Sequence, residues 1–139
     1  MNILVIDAQG GGLGKQLITA LKKNFPDMDI TAVGTNTMAT GVMLKAGAPH
    51  AATGENAVVV GCRKADIIIG PLAIVIADSM FGEITPAMAL AVAQSNAKRI
   101  LIPFNHCDNI VVGIHDYNVT ALIQEAIDEV TKTLPSRQP

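Results

Sequence analysis

Apolar residues in this chain come either as short unbroken runs or as stripes at helical spacing, and the two kinds alternate from one end to the other. "NILVID" (2–7) is continuous rather than alternating, which is the pattern of a strand buried on both faces. Leu13, Leu17, Ala20, Leu21 and Phe25 then recur at helical spacing, with Lys15, Lys22 and Lys23 on other faces, predicting a helix from about Gly14 to Asn24. Pro26 stops it, and "DITAVGT" (29–35) reads as the next strand. "TMATGVMLKA" (37–46) suits a second helix, ended by Gly47 and Pro49. "GENAVVVGCRKA" (54–65) has the valines of a strand, but its place just before "ADIIIG" favours a helix feeding a strand, and the helix is the expectation. "DIIIG" (66–70) is a central strand, and "LAIVIADSMFGEI" (72–84) is strand or loop. Thr85 as N-cap and Pro86 in the first helical position open a helix over 85–97. "KRILIPF" (98–104) and the shorter "NIVVGI" (109–114) are predicted strands, 118–133 an amphipathic last helix, and 135–139 a frayed tail.

Regular alternation of strand and helix argues for an α/β domain, doubly wound, with a mainly parallel sheet of about five strands and helices on both faces. The 139 residues suit one domain, spanning 1–134, with a single core. Charged residues are 16% of the chain against a usual ~25%, so some surface is expected to be hidden in a second copy, as a homo-oligomer. The net charge of -2 offers no footprint for nucleic acid, and 3% aromatics with no Trp gives no stacking platform for single strands. No apolar run approaches a membrane span of ~20 residues, and "MNILVID" lacks the basic start of a signal peptide. With two cysteines in no motif, the expectation is a reduced, cytoplasmic protein.

"VIDAQGGGLGKQ" (5–16) joins the first strand to the first helix, where glycines let backbone N–H groups approach an anion. The dinucleotide spacing needs glycines at 9, 11 and 14, and Gly11 and Gly14 match while Gln9 does not. The P-loop spacing is met by Gly14 and Lys15, but Gln9 and Gln16 break it, and Gln16 lacks the hydroxyl that would hold magnesium. The end of the second strand, "GTNT" (34–37), has no acid for ribose hydroxyls. The candidate ligand set is Gly10, Gly11, Gly12, Gly14 and Lys15 around phosphate, with Thr35, Asn36 and Thr37 lining the neighbouring crevice. A tight turn with no ligand is the competing reading of the same glycines.

Asp78 and Glu83 are candidates for an acid/base pair, or they mark a turn around Gly82. Asp7 and Asp78 each end an apolar run, as a metal-holding acid would, but a polar residue closing a strand is the simpler account of each. "FNHCDN" (104–109) places His106 and Cys107 just after a strand end, as an activated thiol or as an ordinary connecting loop. His50 and His115 are isolated and read as structural, "TGEN" (53–56) as a helix cap, and no metal-ligand spacing is present.

"VIDAQGGGLGKQL", "AVGTNTMATGVMLKAGA", "ATGENAVVV" and "ADIIIGPLAIVIADSMFGEITPAMA" together resemble an uncharacterised bacterial family of short proteins, a domain of unknown function with a Rossmann-like glycine-rich start. The resemblance covers nearly the whole chain; it implies a single-domain Rossmann-like fold and carries no activity, ligand or catalytic residue. The expected function is binding of a nucleotide or other phosphorylated small molecule, with a nucleotide or dinucleotide as the candidate cofactor. The alternatives are an NAD(P)-dependent oxidoreductase whose site is shared between subunits, a P-loop-like nucleotide hydrolase, and a non-catalytic interaction or scaffold subunit.

Overall fold

A computed structural model describes residues 1–103, 109–114 and 118–135. Five strands, β1 (Asn2–Asp7), β2 (Asp29–Gly34), β3 (His50–Thr53), β4 (Ile67–Pro71) and β5 (Lys98–Ile102), pair in parallel in the order β3-β2-β1-β4-β5. Between and after them run α1 (Gly12–Asn24), α2 (Thr37–Lys45), α3 (Glu55–Lys64), α4 (Pro86–Gln94) and α5 (Val119–Thr133). The result is a single-domain, doubly wound, Rossmann-like α/β fold. Two cores flank the sheet because successive strand residues point to opposite faces. Ile3, Val5, Ile67 and Ile69 pack with Leu17, Leu21, Met43 and Ile127 of α1, α2 and α5. Leu4, Ile6 and Ile68 pack with Val58, Met88 and Val92 of α3 and α4. The unbroken apolar runs of β1 and β4 are the consequence: both faces of each strand are covered.

The helix expected over 54–65 is present as α3, and Thr85 caps α4 by accepting from the Met88 N–H at 3.2 Å. Two expectations are corrected. "NIVVGI" (109–114) is not a strand; its Ile110 and Val112 are 89% and 93% exposed, so this apolar run is not drawn into the sheet. The fifth strand is instead "HAAT" (50–53), a short edge strand with one neighbour, whose largely exposed residues leave no apolar signature. Residues 72–84, left open between strand and loop, form a 3₁₀ turn (Leu72–Val75) followed by tight turns. The tail beyond 135 and the last residue of the predicted strand 98–104 lie outside the described residues.

The chain leaves β1 toward β2 on one side, and after β3 it crosses back to β4 on the other side of β1. The order therefore reverses at β1, and such a reversal opens a crevice beyond the carboxyl ends of the strands. The glycine loop between β1 and α1 sits at that point.

Candidate functional site

Asp7, the last residue of β1, is only 3% exposed, and its two carboxylate oxygens accept from backbone N–H groups of Ala8 at 2.8 Å and Gly14 at 2.6 Å. It ties the strand end to the first turn of α1. Burial pushes its pKa above the ordinary 3.8, the Gly14 and Ala8 N–H groups hold back only part of that rise, and the nearby Glu83 charge adds to it. Gln9 follows with φ 52°, a left-handed backbone that a glycine would adopt without strain. The residue that breaks both motif spacings thus adopts a backbone conformation that favours glycine.

The four glycines of the loop divide into two pairs. Gly11 has φ 73°, and a Cβ there would lie 2.8 Å from the Cα of Ala39 in α2. At Gly14 a Cβ would lie 2.5 Å from Met43 Sδ and 3.0 Å from Asp7 Cβ. These two glycines are required by packing. Gly10 and Gly12 have no positive φ, and a Cβ at either would meet nothing within 4 Å. Gly11 donates to Ala8 O at 3.1 Å and Lys15 donates to Gly11 O at 2.8 Å, whereas the N–H groups of Gly10, Gly12 and Leu13 have no acceptor among the described residues.

On the β2 flank, Glu83 reaches the glycine loop from the segment between β4 and α4. Its Oε1 accepts from the Gln9 N–H at 2.8 Å, the Thr35 hydroxyl at 2.7 Å and Asn36 Nδ2 at 2.8 Å. Asn36 also donates to Gln9 O at 3.0 Å, and its Oδ1 caps α2 by accepting from the Ala39 N–H at 2.9 Å. Partial burial works to raise the Glu83 pKa, but the three donors outweigh it and hold the carboxyl below the ordinary 4.5. The turn that delivers Glu83 is strained: Asp78, Met80 and Phe81 have φ of 63°, 55° and 57°, followed by Gly82 at 84°. It is closed by Asp78 N–H to Ile84 O at 2.7 Å and pinned beneath by the Ser79 hydroxyl to Ala73 O at 2.8 Å.

On the β4 flank, a cavity of about 210 Å³ is lined by Asp7, Gln9 to Leu13, Gln16, Pro71, Met80 and Val119. The predicted glycines Gly10, Gly11 and Gly12 come together here; Gly14 packs behind them. Lys15 is exposed on α1 and is not part of this lining, which Gln16 joins in its place. Thr35 and Asn36 direct their described side-chain donors to Glu83 and Gln9, and Thr37 is exposed in the first turn of α2. Asp78 is exposed, with its backbone closing the turn around Gly82. His106, Cys107 and His115 lie outside the described residues, and His50 is exposed beside Asp29 at 3.4 Å. A second, wider groove of about 540 Å³ runs between α3 and α4, with Val59, Arg63, Leu90 and Gln94 among its walls. Sequence reasoning missed the anchoring role of Asp7 and the cavity residues Pro71, Met80 and Val119. Asp7 carried one signal, an acid closing a buried strand; the other three carried none, because only the fold brings them together.

A family model described as "Domain of unknown function (DUF3842)" matches residues 2–135, and the chain belongs to that family. No curated protein matches it in sequence. Among solved structures, it is similar over 100% of its length, and over 98% of the other chain, to the dodecameric FMN-dependent UbiX-like decarboxylase from Escherichia coli O157:H7. The identity is 15% and the TM-score 0.45. Among the described residues, no helix is long and apolar enough to cross a membrane.

Proposed function

We propose that this member of the family uses the crevice at the end of β1 to hold the phosphate of a nucleotide or other phosphorylated small molecule. The observation that carries the reading is the pair Gly10 and Gly12. Neither contact with a Cβ nor a positive φ forbids a residue other than glycine at either position, yet both are glycine. Both border the cavity, and both carry N–H groups without an acceptor among the described residues, at or just before the start of a 13-residue helix. A phosphate seated there would accept from Gly10, Gly12 and Leu13 and gain from the positive end of α1. Gly11 and Gly14 shape the loop, and Lys15 adds a positive charge near its mouth. About 210 Å³ takes the phosphate and its nearest atoms, so the rest of the ligand lies along the crevice rim.

A thermal-shift panel of nucleotides and sugar phosphates tests it, since a ligand at ~100 times its Kd stabilises by ~2.7 kcal/mol. At least one phosphorylated compound should raise the melting temperature, and Gly12→Asp should abolish the rise while the protein stays folded. A panel without a shift, or a folded Gly12→Asp variant that binds as the parent does, overturns the reading. Self-association belongs to the same proposal, supported by the 16% charged fraction and by the exposed Leu90 and Phe81. Light scattering at micromolar concentration should report at least a dimer.

A further inference from the structure

We infer that Glu83 makes the crevice selective for a ligand with free ribose hydroxyls, supplying from a distant loop the acid that the end of β2 lacks. The inference rests on the phosphate reading of the glycine loop. In nucleotide-binding sheets of this topology, an acid closing the second strand accepts hydrogen bonds from the ribose. Here β2 runs into Thr35 and Asn36, and neither is acidic. Yet a carboxylate stands against both of them, because Glu83 Oε1 lies 2.7 Å from Thr35 Oγ1 and 2.8 Å from Asn36 Nδ2. It also lies 2.8 Å from the Gln9 N–H, so it abuts the loop proposed to hold phosphate.

All three described donors converge on Oε1, and Oε2 accepts none from the described residues. One oxygen fixes the side chain while the other stays available. The same donors keep the carboxyl ionised at neutral pH, so Oε2 is a charged acceptor for hydroxyl donors. The two flanks of the loop then divide the work. Phosphate meets Gly10 and Gly12 beside the β4 cavity, and the sugar meets Glu83 on the β2 side. A phosphate carried on the sugar hydroxyls themselves would be repelled by this carboxylate, as would a second anion.

The test uses the full chain with ADP and 2′-deoxy-ADP, ribose 5-phosphate and 2-deoxyribose 5-phosphate as a base-independent pair, and inorganic pyrophosphate, all followed by calorimetry. The ribose member of a pair should bind about tenfold or more tighter than its deoxy partner, the worth of a hydrogen bond to a charged group. Glu83→Gln keeps a carbonyl oxygen for the three donors and should reduce that preference to under threefold, with pyrophosphate bound at least as well as by the parent. If pyrophosphate binds but neither pair discriminates, or if Glu83→Gln keeps the preference, the role of Glu83 is overturned and the phosphate reading stands. If neither pyrophosphate nor any sugar phosphate binds, the phosphate reading falls and the inference with it.

Discussion

Gly11 and Gly14 are pressed against α2 and β1, whereas Gly10 and Gly12, one or two residues away, would meet nothing within 4 Å if they carried a Cβ. Identical residues in one loop thus answer to different constraints. The packed pair explains how β1 turns so tightly into α1 and how closely α2 approaches. The open pair is left unexplained by the fold; the proposed ligand, which must come close to the backbone, would account for it. A glycine-rich stretch is therefore evidence for binding only through the members that packing does not require.

The largest expected effect comes from the packed side. Gly11→Ala drives a Cβ to 2.8 Å from backbone in a left-handed conformation, and should destabilise the protein by about 3 kcal/mol or more in urea unfolding. If Gly11→Ala proved as stable as Gly12→Ala, the distinction between the pairs would collapse. Gly14→Ala should cost less, about 2 kcal/mol, because its obstacles are side-chain atoms of the buried Met43 and Asp7 rather than backbone, and alanine favours the helix.

Acid titration sharpens the contrast between the carboxylates on either side of the loop. The Asp7 pKa is raised in the folded protein, so the native state binds more protons than the unfolded chain between that raised value and 3.8. Stability of the parent relative to Asp7→Asn should therefore rise as pH falls through this window, and level off below 3.8. The Glu83 pKa is lowered, so its contribution is complete above 4.5 and is lost as pH falls through the lowered value. Relative to Glu83→Gln, the parent should lose stability on acidification. Unfolding curves between pH 3 and 7 would expose two trends of the same sign as a failure of this picture.

The smallest effect on the apo protein is expected at the open pair. Gly12→Asp places an acid in the first turn of α1 without a clash, so its stability should stay within about 0.5 kcal/mol of the parent or rise slightly. Only its response to phosphorylated ligands should disappear.

Most of the fold was legible because the sheet is covered on both faces, which forces unbroken apolar runs at β1 and β4 and helical stripes between strands. The exceptions are instructive. "HAAT" is a four-residue edge strand with little to bury, so periodicity cannot announce it. "NIVVGI" is apolar but exposed, and an apolar run read alone looks like a strand. At the site, the glycine loop was legible from its place between strand and helix. The Glu83 cluster was not, since its partners Gln9, Thr35 and Asn36 lie 74, 48 and 47 residues away in sequence. Pairing at such separations is decided by strand order, which local spacing does not encode.

The turn that carries Glu83 has a kinetic consequence. Three side-chain-bearing residues in left-handed conformations, each costing on the order of 1–2 kcal/mol, sit within four positions of one another. Phe81, the last of them, is fully exposed and buries nothing to offset that cost. The turn is thus a loaded spring whose catches are the Ser79 hydroxyl and the Glu83 carboxylate. Local opening should begin there, well below the free energy of global unfolding, with the Gly82, Glu83 and Ile84 amides exchanging with solvent together and ahead of the β1 and β4 amides beneath them.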